Sequence, residues 1–191
     1  MAKNREKTEN AMKKYIDDGQ GRDRLKELLK NESVDSRYEL LMNVRGGGDS
    51  TWTGVHKAAV AGDLESIRYM LDGFPPDKKY DVLKIQKSDG RTPLHIAACY
   101  GCSSIIACLI TDLSQQQKYD ILKIQDQSGD TALHEAAYMN RVEAYRAILA
   151  SVPYHLMLQL LDIKNKYGES AADIKPELDD EFTHSMNQGM S

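Results

Sequence analysis

Apolar residues recur along this chain with the spacing of helices. Ile67, Met70 and Leu71 fall at i, i+3 and i+4, and the same spacing returns at Ile106, Leu109 and Ile110 and again at Tyr145, Ile148 and Leu149. Each triplet predicts one helix with a single apolar stripe. The triplets lie 39 residues apart. A fixed period of this size predicts a solenoid, because no short helix can bury its stripe alone and stacked units can share a continuous core. The expected fold class is therefore all-α.

Ahead of each stripe stands a second repeated block. Thr92-Pro93-Leu94-His95-Ile96-Ala97-Ala98 recurs as Thr131-Ala132-Leu133-His134-Glu135-Ala136-Ala137, and earlier as Thr53-Gly54-Val55-His56-Lys57-Ala58-Ala59; Ser170-Ala171-Ala172-Asp173 is a worn fourth copy. The threonine suits an N-cap and Pro93 the first helical position. Gly62, Gly101 and Asn140 align at the far end, where a left-handed C-cap is expected. Each unit is thus a helix pair, with close approach allowed by the paired alanines.

A third segment follows. Lys79-Tyr80-Asp81-Val82-Leu83-Lys84-Ile85-Gln86 recurs as Lys118-Tyr119-Asp120-Ile121-Leu122-Lys123-Ile124-Gln125, and more loosely as Leu158-Gln159-Leu160-Leu161-Asp162-Ile163-Lys164. Pro75-Pro76-Asp77, Ser114 and Pro153 precede the three copies as helix-start signals. An extra short amphipathic helix is expected here, docking Tyr80 and Leu83 under the unit. Turns follow at Ser88-Asp89-Gly90, Gln127-Ser128-Gly129 and Lys166-Tyr167-Gly168. Asp126 and Asn165 can bond their turn backbones and Lys87 cannot, so the first turn should be the looser.

Leu28-Leu29 and Arg37-Tyr38-Glu39-Leu40-Leu41 extend the pattern toward the N-terminus at an offset of 42. The expected organisation is a single array: a degenerate N-terminal capping unit over residues 1–50, regular repeats over 51–89, 90–128 and 129–167, and a partial C-terminal cap with its tail over 168–191. Residues 1–10 and 185–191 should be frayed.

Residues 51–174 resemble the ankyrin repeat, on Asp89-Gly90-Arg91-Thr92-Pro93-Leu94-His95-x-Ala97-Ala98-x-x-Gly101 and Gly129-Asp130-Thr131-Ala132-Leu133-His134-x-Ala136-Ala137. The period exceeds the usual 33 residues, and the excess falls in the Tyr-Asp-Val-Leu-Lys-Ile-Gln segment. The resemblance implies a non-catalytic scaffold or adaptor that binds a partner protein through turn tips and the exposed side of the first helix. Carried onto this chain, the binding positions are Trp52, Lys57, Asp89, Arg91, Ile96, Tyr100, Asp130, Glu135, Tyr138, Met139, Tyr167 and Glu169, with Ser50 and Ser128 at further tips. Trp52, Tyr100, Tyr138 and Met139 would line one concave strip, and aromatic residues of this kind dominate interface hot spots. The plainer reading is that Trp52 covers the irregular first unit and the tyrosines pack on their neighbours.

Charge and composition narrow the function. The formal charge is −4 over 191 residues, and no basic face of the kind nucleic acid requires stands out. Residues 1–30 hold nine Lys/Arg against six Asp/Glu, and residues 175–191 hold one against four; both read as solvated ends. No apolar run suits a membrane span and the first residues carry no signal-peptide core. Three cysteines make no disulfide framework. A monomeric cytoplasmic protein is expected, with the nucleus also open to it.

Candidate chemistry is sparse. His56, His95 and His134 align one per unit, too far apart to share a metal, and the resemblance makes them structural. Cys99-Tyr100-Gly101-Cys102, with His95 one turn earlier, has zinc or redox spacing; a metal- or redox-responsive module using Cys99 and Cys102 stays as an alternative, beside an inhibitor of a partner enzyme. Arg45-Gly46-Gly47-Gly48 lacks the ending of a phosphate loop and reads as an insertion after the first unit. No nucleophile arrangement or paired carboxylates stand out. No catalytic residue, metal or cofactor is expected.

Overall fold

The computed structural model describes residues 2–46 and 51–177. Thirteen helices form among them, in three layers. The first layer holds α1 (Ala2–Asp18), α4 (Gly54–Val60), α7 (Pro93–Cys99), α10 (Ala132–Tyr138) and α13 (Ala171–Ile174). The second holds α2 (Arg22–Lys30), α5 (Leu64–Leu71), α8 (Ser103–Ile110) and α11 (Val142–Leu149). The third holds α3 (Val34–Asn43), α6 (Pro76–Leu83), α9 (Gln115–Leu122) and α12 (Tyr154–Leu161). First- and second-layer helices pack on each other within a unit, and the helices of each layer pack on their counterparts in the next unit. The predicted stripe residues are buried in one core, together with the alanine pairs of α4, α7 and α10.

The repeated threonine and histidine form one device. Thr92 caps α7, and its N–H and hydroxyl both reach His95 Nδ1, at 3.2 and 2.8 Å. His95 Nε2 lies 3.0 Å from the carbonyl of Asp130, in the next unit's turn. A carbonyl only accepts, so the proton sits on Nε2 and Nδ1 accepts. His56 bonds Thr53 and the Arg91 carbonyl in the same way, and His134 bonds Thr131 and the Glu169 carbonyl. In the worn copy, Asp173 takes the histidine's place and accepts from Ser170 N–H and Oγ, both at 2.8 Å. Gly62, Gly101 and Asn140 close the first-layer helices at φ 65, 72 and 51°.

The three turns share one backbone. Lys87 N–H donates to the Arg91 carbonyl and Gly90 N–H to the Lys87 carbonyl, at 3.0 and 2.9 Å; Asp126 and Asn165 open equivalent pairs. The turn at Lys87 is therefore no looser in its backbone. Its missing side-chain acceptor is replaced by Thr51 Oγ1, which accepts from Ser88 N–H, and by Asp89 Oδ1, which accepts from Arg91 N–H. Gly90 is required twice over: φ is 85°, and a Cβ there would lie 2.8 Å from Gln127 N of the next turn. Gln86 Nε2 donates to the carbonyls of Gly90 and of Gln125, and Gln125 does the same to Gly129 and Lys164. These bonds stitch neighbouring turns together.

The third-layer helices carry a feature absent from the sequence reading. Arg37 in α3 donates to the carbonyls of Tyr69 and Asp72 at 2.7 and 2.6 Å, at the end of α5. Lys79 in α6 donates to the carbonyls of Cys108 and Thr111 at 2.8 and 2.7 Å, at the end of α8. Each cation thereby satisfies C-terminal carbonyls that a helix cannot bond itself. At the equivalent place α12 has Met157, buried in the core. Of the residues expected to dock α6, Leu83 is buried with Val82; Tyr80 is only half-buried, with Lys84 Nζ 4.2 Å from its ring centre.

The N-terminal end differs from expectation. Residues 2–10 are helical, continuous with the rest of α1. Thr8 is buried, its hydroxyl donating to Glu32 at 2.8 Å, and Arg5 pairs with Glu39 at 2.6 Å. Met12, Tyr15 and Ile16 complete the first unit's core. Beyond it, Gly46 and Trp52 pair as an isolated antiparallel bridge. The expectations for Ser50 and for residues 185–191 lie outside the described residues.

Candidate partner-binding face

The twelve residues assigned to the binding face divide into three groups. Tyr100, Tyr138, Met139 and Tyr167 are exposed, at 52, 45, 48 and 76% of their surface. They come from the ends of α7 and α10 and from the last turn, so they gather toward the C-terminal half of the array. Glu169 is also exposed, and its carboxylate accepts from the Tyr138 hydroxyl at 3.1 Å.

Trp52, Lys57, Asp89 and Arg91 are half-buried. Trp52 meets His56 edge to face with ring centres 6.2 Å apart, and Lys87 Nζ stands 5.0 Å from the indole. The plainer reading of Trp52 as a cover for the irregular junction fits this placement.

Ile96, Glu135 and Asp130 are corrections. Their exposures are 2, 5 and 8%, so none presents a surface to a partner. Ile96 is part of the core. Glu135, aligned with Ile96, is covered by Arg91 from the preceding turn. Arg91 Nε stands 3.0 Å from the Glu135 carboxylate and 3.7 Å from both Asp89 and Asp126. The 3.0 Å approach is an ion pair rather than an aligned hydrogen bond, since Nε has no hydrogen-bond acceptor. Burial pushes the Glu135 carboxyl up, Arg91 opposes this, and Asp126 and Asp130 add to it.

Asp130 joins a network that only the folded chain reveals. Asn165 Nδ2 donates to Asp130 Oδ1 at 2.9 Å and lies 3.0 Å from the Tyr138 hydroxyl, which in turn donates to Glu169. Burial, then Glu169 and Asp130, push the Tyr138 hydroxyl up to about 12. Asn165 was visible in the sequence only as a turn opener; its second role depends on residues up to 35 positions away.

The Cys-x-x-Cys segment lacks the electrostatics of a reactive pair. Cys99 and Cys102 are half-buried. Burial raises the Cys99 thiol and the Glu135 carboxylate raises it further; burial raises Cys102 as well. A raised thiol offers less thiolate, the form that attacks or ligates. Both ring nitrogens of His95 are already bonded within the fold. Among the described residues no three His, Cys, Asp or Glu side chains gather as a metal would need.

On the opposite side a cleft of about 720 Å³ runs between α5, α6 and α8, lined by Arg68, Phe74, Lys79 and Cys108 among others. Sequence reasoning gave no sign of it. Its small-residue wall is Ser104, Ala107 and Thr111. Among the described residues no helix is long and apolar enough to cross a membrane.

No curated protein matches the chain. A family model described as ankyrin repeats (3 copies) matches residues 15–122 and 55–159, most of the sequence. With the stacked helix pairs, the threonine–histidine caps and the glycine-closed turns in view, the chain belongs to the ankyrin-repeat family.

Proposed function

We propose that this chain is a non-catalytic interaction module that holds a partner protein against the exposed strip of Tyr100, Tyr138, Met139 and Tyr167. The family supplies the general role, since ankyrin repeats mediate protein–protein contacts. The observation that carries the reading here is that four of the six large hydrophobic side chains exposed among the described residues belong to this strip, the other two being Tyr154 and Leu158 of α12. Aromatic and methionine side chains are the residues from which hot spots and adaptable contacts are built. The helices under them are held by cross-unit bonds, so little ordering entropy is lost when a partner docks.

The array works as one body, with residues 51–89, 90–128 and 129–167 as its regular repeats, as a cytoplasmic or nuclear monomer. Its net charge of −4 favours protein over nucleic acid. The test replaces Tyr100, Tyr138, Met139 and Tyr167 together by alanine and compares both proteins as baits in lysate. Loss of a partner with helicity unchanged is the expected result. Retention of the same partners by both baits would overturn the assignment of the strip.

A further inference from the structure

We infer that the partner segment seated on this strip carries a basic side chain, lysine or arginine, that enters over the rings of Tyr138 and Tyr167 beside the Glu169 carboxylate. This rests on the binding reading above and adds the chemistry of the partner.

Two independent observations lead to it. The first is the treatment of surface aromatics elsewhere in the chain. Tyr80 has Lys84 over its ring at 4.2 Å, Tyr119 has Lys123 at 5.0 Å, and Tyr38 has Lys78 at 5.1 Å. Tyr69 has Lys30 at 5.1 Å and Trp52 has Lys87 at 5.0 Å. A cation within about 6 Å of a ring is held by the ring's quadrupole. Among the described residues, Tyr100, Tyr138 and Tyr167 have no such cation, nor does Tyr154 at the start of α12; of these four, Tyr138 is the one bonded to a carboxylate, Glu169.

The second is the charge beneath those rings. Five carboxylates run along the successive turns toward these rings: Asp89, Asp126 and Glu135 around Arg91, then Asp130 and Glu169 around Asn165 and Tyr138. Lys87 pairs with Asp89, and Arg91 is shared among Asp89, Asp126 and Glu135. Asp130 and Glu169 have only neutral partners, Asn165 and the Tyr138 hydroxyl. Arg141, at the far edge, is committed to the Cys99 carbonyl. Asp130 and Glu169 therefore stand without a cation of their own. Open ring faces and unmatched carboxylates together are complementary to a cation on an apolar-flanked segment.

A phage-displayed library of random peptides, selected on the full chain, tests the inference. Enriched peptides should share a lysine or arginine whose replacement by alanine weakens binding roughly tenfold. Glu169→Lys should weaken the same peptides to a similar degree, and added salt should weaken them as well. Peptides that lose affinity on Tyr100→Ala or Tyr167→Ala, yet need no basic residue, would overturn the inference and leave the strip assignment standing. Peptides indifferent to those substitutions, or a library that enriches nothing, would overturn both.

Discussion

Lys79 Nζ lies 2.7 Å from the carbonyl oxygen of Thr111, which belongs to the unit after its own. The ammonium is buried, and burial lowers its pKa, yet it keeps a second bond to the Cys108 carbonyl. Lys79→Met preserves the stem and removes the cap. It should cost roughly 1–3 kcal/mol, the cost of leaving buried acceptors unmade. Lys118→Met, at the half-buried equivalent place, should cost less than about 1 kcal/mol. Urea unfolding of the two variants checks the difference.

The histidine device predicts acid sensitivity. Burial lowers His56 and His95 from 6.5 to about 4 in the folded chain. The unfolded chain therefore binds more protons below pH 6.5, and stability falls as pH drops from about 6.5 toward 4, on the order of 3 kcal/mol per histidine across that window. Urea midpoints measured between pH 7.5 and pH 4 should decline through that range and not above it. A flat profile would mean that the imidazoles are not buried neutral.

Gly90 and Gly168 separate two costs that are usually confounded. Both have positive φ, 85 and 79°, but a Cβ at Gly168 meets nothing within 4 Å, whereas at Gly90 it runs into the next turn's backbone. Gly168→Ala should cost about 1 kcal/mol from backbone strain alone. Gly90→Ala should cost clearly more, and Gly129→Ala likewise, since its Cβ would lie 2.8 Å from Lys166 N. Equal losses at all three sites would show that the turns do not touch.

Ile96→Ala should cost about 2–5 kcal/mol and Leu94→Ala a similar amount, as buried large-to-small changes do. Tyr100→Ala, one turn further along and half exposed, should change stability by no more than about 0.5 kcal/mol. Thermal or urea unfolding decides it; a neutral Ile96→Ala would return that residue to the surface.

Most of the fold was legible because it is written in local chemistry. Threonine caps, closing glycines, the stripe at i, i+3 and i+4, and the extra helix all lie within one 39-residue period. The site was less legible because its exposure is decided by neighbours. Lys57, Ile96 and Glu135 share one slot, yet Lys57 is half-buried while the others are covered. Arg91, 44 positions before Glu135 in the sequence, does the covering. The first ten residues read as a frayed end because chain ends commonly are; Thr8 is nevertheless buried, and its hydroxyl meets Glu32 from another helix's end.

The forward reach of Arg37 and Lys79 gives the array a direction. Each of these four third-layer bonds is donated by one unit and received by the next, whereas Arg141 reaches back to the Cys99 carbonyl in the first layer. The first unit has no donor before it among the described residues, and α2 is finished by its own Asn31, which donates to the Glu27 carbonyl at 3.0 Å. Loss of residues 1–50 therefore orphans the end of α5, while loss of everything after α11 leaves the ends of α5 and α8 intact. In the third layer, then, the N-terminal unit caps its neighbour and, among the described residues, receives no such cap in return.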